Sequence, residues 1–191
     1  MIKKRFQFKR FDVDVENINE IALYEIDNNP SDDLDESNLF YVYSTTDVNI
    51  QNIVDKFLLP KAADSETKVF YLKLKGDYYR YKAEFDLDKD FPDTCDKAEK
   101  VYKEGYEIAN KDLRITNPIR IGLALNFSVF YYEIKGLKEE ACNIAKTAFD
   151  ESMKVLDDLE KSKAKETLLI IQLLKENLIL WNNEMNEEEE N

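Results

Sequence analysis

The sequence predicts an all-α protein built as an antiparallel helical array, and three observations predict it. From residue 47 to residue 184 apolar residues recur at helical spacing. Prolines, a glycine and capping side chains punctuate that pattern at the ends of each segment, with connections of only a few residues that make successive helices antiparallel neighbours. A chain of 191 residues with 43% hydrophobic and 12% aromatic content also suffices for one sizeable core.

Residues 1–46 stand apart. Between Arg10 and Lys56 lie twelve acidic residues and no basic one, including the run SDDLDES from Ser31 to Ser37. Residues 6–15 alternate weakly, as an extended strand would, and NNPSDDLDES reads as a loop. This is a divergent acidic segment of no assigned structure, with the basic opening MIKKRFQFKR ahead of it. The first helix follows from Asp47, a candidate cap, to Leu59, where Pro60 stops it. The second covers 65–86, with Ser65 as candidate cap, and the third runs from about Pro92 to about Asn110. Asn117 and Pro118, as cap and first helical residue, open a fourth that continues to Glu133. Gly136 separates it from a fifth over 137–160. The sixth spans 163–184, and residues 185–191 form an acidic, disordered tail.

A formal net charge of −13 disfavours nonspecific binding to nucleic acid or anionic lipid, and no apolar run is long enough to span a membrane. Proteins are the expected partners. Two cysteines, Cys95 and Cys142, and no secretory h-region suggest a reduced, cytoplasmic protein with structural thiols. The chain has no histidine, which removes the usual general base, Ser/His and Cys/His pairs and the commonest metal ligand. Its four glycines are scattered singly, so no loop cradles a phosphate. Neither catalysis, nor a cofactor, nor a metal is expected.

The polar residues then fall into a pattern. KVFYLKLKGDYYRYKAEF, Lys68 to Phe85, carries five basic and six aromatic residues in eighteen positions. Lys73 and Arg80 are two helical turns apart with Tyr81 beside Arg80, so two cations and a phenol can converge. Asn126, Val129 and Glu133 form one stripe of the fourth helix; Leu173, Asn177 and Leu180, flanked by Trp181, form one of the sixth. An asparagine on such an apolar face must find a partner or costs about 1–3 kcal/mol. Together these residues suggest a groove with cations for a phosphate, amides for a peptide backbone and leucines for side chains. The plainer alternative has Lys73 and Arg80 facing solvent and Asn177 bonding a neighbouring helix.

KVFYLKLKGDYYRYKAEF resembles the fifth-helix signature of the 14-3-3 family. NPIRIGLALNFSVFYYEI, Asn117 to Ile134, is similar to the family's most distinctive run, and ACNIAKTAFDES and LLIIQLLKENLILW resemble its last two helices. The resemblance covers about 47–184 and implies an antiparallel array with a concave groove that binds proteins phosphorylated on serine or threonine without catalysis. By the same resemblance Arg80 and Tyr81 hold the phosphate, and Lys73 lines the groove beside it. Asn126 and Asn177 clamp the peptide backbone, Glu133 supports the rim, and Leu125, Val129, Leu173, Leu180 and Trp181 form the apolar wall.

The match lacks recognisable counterparts of the family's first three helices, which marks the chain as a divergent or N-terminally truncated member. The family's dimer uses its N-terminal helices, so a monomer or an altered dimer is expected. The family also completes its phosphate site with a lysine and an arginine on the third helix, and residues 11–55 contain neither. Two lost charge-assisted contacts, at about 1.5–3 kcal/mol each, weaken binding by roughly a hundredfold to ten-thousandfold. Lys3, Lys4, Arg5, Lys9 and Arg10 are the candidates to replace them. The alternative to a phosphate-dependent adaptor is a degenerate scaffold that binds proteins without phosphate. The acidic tail, Glu184 and Glu187 to Glu190, is either a competitor for the cationic site or a solubilising end.

Overall fold

The structure, a computed structural model, describes residues 51–52, 54–85, 91–155 and 164–189. The reading of residues 1–46, the Asp47 cap and the basic N-terminal residues lie outside these. After the helical residues Gln51 and Asn52 come a short π-helical turn, Val54–Leu58, and a 3₁₀ turn, Leu59–Lys61, that carries Pro60 in its first positions. Five α-helices follow: α1 Ser65–Phe85, α2 Phe91–Asp112, α3 Pro118–Val129, α4 Lys138–Lys154 and α5 Ala164–Glu189. No strand occurs among the described residues, and no described helix is long and apolar enough to cross a membrane.

Local chemistry explains the helix starts. The N-cap of α1 is Asp64 rather than Ser65: its carboxylate accepts the Thr67 amide at 2.8 Å and the Thr67 hydroxyl at 3.0 Å. Ser65 instead donates to Asp112 at 2.7 Å, tying the start of α1 to the end of α2. At α3 the expected cap is present, with Asn117 Oδ1 accepting from the amides of Ile119 (2.9 Å) and Arg120 (3.2 Å). Pro118 at the first position loses no hydrogen bond, because that amide has no partner in a helix. Beyond Val129 the helix widens into a π-helical segment, Phe130–Lys135, which ends at Gly136 in the left-handed region (φ 67°).

Packing is centred on α3. Every residue from Ile121 to Tyr132 is buried, so this helix is enclosed on all sides, as an all-round apolar surface requires. It contacts α1, α2, α4 and α5, while α1 lies antiparallel along α2 and α4 against α5. One cluster joins Val69 of α1, Ala98 and Tyr102 of α2, Leu123, Leu125 and Phe127 of α3, Ala141 and Ala145 of α4, and Ile170, Leu174 and Trp181 of α5. Gly76 in the middle of α1 marks the closest approach of α2. A β-carbon there would stand 2.7 Å from Cε1 of the Tyr102 ring, nearer than carbon atoms pack.

The last helix departs from the sequence reading. It continues to Glu189, so residues 185–189, read as disordered tail, are helical. Tyr132 donates its hydroxyl to Glu184 Oε2 at 3.0 Å, and Lys138 pairs with Glu188 at 2.5 Å. These contacts hold the acidic end of α5 against the π-helical segment and the start of α4.

Candidate functional site

The helical period sets Lys73, Asp77 and Arg80 on one face of α1, turned toward α2 and α3. Lys73 is 1% and Arg80 0% exposed, which corrects the solvent-facing alternative. Buried cations survive only with partners, because desolvation costs several kcal/mol per ion. Lys73 Nζ donates to Asp77 Oδ2 at 2.7 Å, and Arg80 Nη1 donates to Glu84 Oε1 at 2.7 Å. Arg80 Nη2 lies 3.8 Å from Asp77 Oδ1.

Asp77 is the hub of this arrangement. Its Oδ1 accepts the Tyr102 hydroxyl at 2.6 Å and Asn126 Nδ2 at 2.9 Å, so α1, α2 and α3 meet on one carboxylate. Arg80 Nε also reaches the Tyr102 oxygen at 3.4 Å. Burial opposes the charge on Arg80, but Tyr102, Asp77, Tyr81 and Glu84 together outweigh it and raise the guanidinium well above its ordinary range. Burial, then the negative charge of Asp77, raises the Tyr102 phenol and keeps it a proton donor. The Tyr81 ring lies under the Arg80 guanidinium, 4.5 Å from ring centre to Cζ. Two cations and a phenol do converge, but the phenol on Asp77 is Tyr102, and Tyr81 offers its face.

Beside this network α3 contributes Leu125, Asn126 and Val129, all fully buried. Glu133 lies in the π-helical segment that continues the helix of Asn126 and Val129. It is half-buried there. On α5, Leu173 and Leu180 are half-buried, while Asn177 (1% exposed) and Trp181 are buried. Trp181 stacks on Tyr132 with ring centres 4.6 Å apart and an interplanar angle of 10°. Lys138 lies 5.6 Å over the Tyr132 ring.

Lys73, Arg80 and Asn126 are thus gathered around one carboxylate, and Leu125, Val129, Leu173 and Trp181 belong to one apolar cluster. Sequence reasoning missed Asp77, Glu84 and Tyr102. The first two were findable, since Asp77 stands four residues after Lys73 and Glu84 four after Arg80. Tyr102 arrives from another helix and leaves no local signal.

Known proteins are similar to this chain over most of its described part. A model of the family described as 14-3-3 protein matches residues 43–182. "14-3-3 protein 3" of Entamoeba histolytica is 50% identical over 141 residues, covering 74% of this chain and 59% of that protein. "14-3-3 protein beta/alpha" of Homo sapiens is 48% identical over 136 residues (71% and 55%), and "14-3-3-like protein 2" of Caenorhabditis elegans 50% over 133 residues (70% and 54%). The chain therefore spans little more than half the length of these curated relatives. With a family match over residues 43–182 and identities near one half over the residues that build the helical array, the chain belongs to the 14-3-3 family.

Proposed function

We propose that this chain is a non-catalytic, cytoplasmic adaptor that binds partner proteins at a phosphorylated serine or threonine. The residues assigned to that task are Lys73, Arg80, Tyr81, Leu125, Asn126, Val129, Glu133, Leu173, Asn177, Leu180 and Trp181. The carrying observation is that Lys73, Arg80 and Asn126 share one buried hub, beside an apolar wall that includes Leu125, Val129 and Trp181. Arg80 offers a rigid fork to a phosphate of about −1.5 to −2 charge, Lys73 a mobile point charge, and the asparagines suit a peptide backbone.

A finer reading is that the phosphate site is weakened. Lys73 and Arg80 are already balanced by Asp77 and Glu84, so this quartet is formally neutral. A dianion gains little net attraction from it, and residues 11–55 supply no further cation. The same observation favours the second reading, a scaffold that binds proteins independently of phosphate. Because the family match begins at residue 43, we also infer a monomer or an altered dimer.

Fluorescence anisotropy with a labelled Arg-Ser-x-phosphoSer-x-Pro peptide, its unphosphorylated twin and Arg80→Ala separates the readings. The adaptor reading expects binding of the phosphorylated peptide alone, and its loss in Arg80→Ala. Equal binding of both peptides, unaffected by Arg80→Ala, overturns it in favour of the scaffold. Replacement of Lys3, Lys4, Arg5, Lys9 and Arg10 weakens the phosphopeptide if those residues supply the missing charge, and unchanged affinity removes them from the site.

A further inference from the structure

Tyr102 lies on α2, outside the set of groove residues, yet its side chain is held from every direction. Gly76 lets α1 close onto one edge of the ring. Phe127 of α3 stacks at 5.5 Å and 22°, and Phe130, the first residue of the π-helical segment, lies 5.5 Å away at 43°. The ring is 0% exposed, so it has no room to swing. Its hydroxyl donates to Asp77 Oδ1 at 2.6 Å and accepts from Arg80 Nε at 3.4 Å. The same Oδ1 accepts Asn126 Nδ2, and the other oxygen accepts Lys73. One rigid phenol therefore fixes the carboxylate that three groove side chains lean on.

We infer that Tyr102 is a positioning residue: its hydroxyl sets the Asp77 carboxylate, and through it the directions of Lys73, Arg80 and Asn126. The consequence for binding rests on the phosphate-reading role proposed above. The positional claim does not. A carboxylate accepting from three groups has little freedom left, and removing its shortest neutral donor releases it to rotate. Arg80 loses its Nε contact in the same step. The side chains then explore several directions, and ligand binding must supply the ordering that the phenol supplies now.

The test is Tyr102→Phe, which removes one oxygen and keeps the ring. In the ligand-free, full-length protein, nitrogen-15 NMR follows Arg80 Nε, Lys73 Nζ and Asn126 Nδ2. The expected result is shifts and broadening at all three, with backbone amides far from Asp77 unmoved. Unchanged side-chain signals overturn the inference whatever the peptide does. Affinity for the phosphopeptide should fall about tenfold in Tyr102→Phe, the size of one hydrogen bond to a charged acceptor. In an Asp77→Ala background, which removes the carboxylate that the phenol sets, the same change should cost less than about twofold, because coupled residues are not additive. Equal losses in both backgrounds identify a merely structural tyrosine and also overturn it. If the wild type binds neither peptide, the phosphate reading fails while the NMR shifts still decide the role of Tyr102. Should Tyr102→Phe not fold, 3-fluorotyrosine at position 102, which keeps the ring and alters only the strength of its hydroxyl, must move the same Lys73, Arg80 and Asn126 signals, and unmoved signals overturn the inference.

Discussion

Glu99 on α2 carries three donors at once. Lys103 reaches it at 2.6 Å, Lys135 at 2.9 Å and the Tyr131 hydroxyl at 3.0 Å, so α2 is joined to the π-helical segment through one carboxylate. Burial pushes its carboxyl upward, but the hydrogen bonds from Lys103, Lys135 and Tyr131 outweigh it and lower the pKa from 4.5 to about 2. A depressed folded-state pKa means the pair stabilises fully above the unfolded value. That contribution is lost as pH falls from about 4.5 toward 2. With solvent screening at its exposed partners it amounts to about 1–2 kcal/mol. Glu99→Gln should lower neutral-pH stability by that amount and flatten the acid limb of a urea-denaturation series between pH 5 and 2.5 (about the window of the shift). An unchanged acid limb places the acid sensitivity elsewhere. At this scale the sequence was partly legible. Lys73, Arg80 and Asn126 stood out by type and spacing, whereas the i,i+4 spacing of Lys73 and Asp77 is one that solvated helix faces share. Tyr102 could not be read at all, because its role depends on which helix lies against Gly76.

Helix starts and stops decided by local chemistry were legible to within about a residue, the cap of α1 falling on Asp64 instead of Ser65. The Asn117–Pro118 pair and Gly136 each act within a turn of their own position as expected, while Pro60, expected to stop a helix at Leu59, sits in the first positions of a 3₁₀ turn over Leu59–Lys61. The larger misses need tertiary contacts. Nothing local predicts the widened turn at Phe130–Lys135. Nor does composition predict that Tyr132 and Lys138 hold the acidic end of α5 in a helix. Between α1 and α2 the decisive element is an absent side chain. Gly76→Ala gains helix propensity, about 0.8–1 kcal/mol, but drives a methyl into a ring packed on its other faces. Overpacking of this kind costs about 1–3 kcal/mol, so the expected outcome is a net loss of stability with an altered Tyr102 environment. A melting temperature at or above wild type means that the two helices can separate freely, contrary to this packing.

For the whole molecule, the family and the helical array were legible because the family match spans residues 43–182, taking in α1 to α4 and most of α5. Function at this scale depends on assembly. The proposed monomer predicts a single species near 22.5 kDa in sedimentation velocity at micromolar concentration. A stable species of twice that mass requires an interface formed in another way. A monomer holds one groove, so its phosphopeptide binding lacks the avidity of two linked sites, which exceeds single-site affinity by about 10²–10⁴-fold where both engage. Doubly phosphorylated peptides should then bind no more tightly than singly phosphorylated ones.

The stack of Trp181 on Tyr132 has an optical meaning. This is the chain's only tryptophan, fully buried, set on the face of α5 that carries Leu173 and Asn177. All indole emission therefore comes from one place in the protein, with no background from elsewhere. Its wavelength and polarisation report whether α5 is seated and whether anything has entered beside it. The molecule carries its own label at the point where a ligand is proposed to arrive.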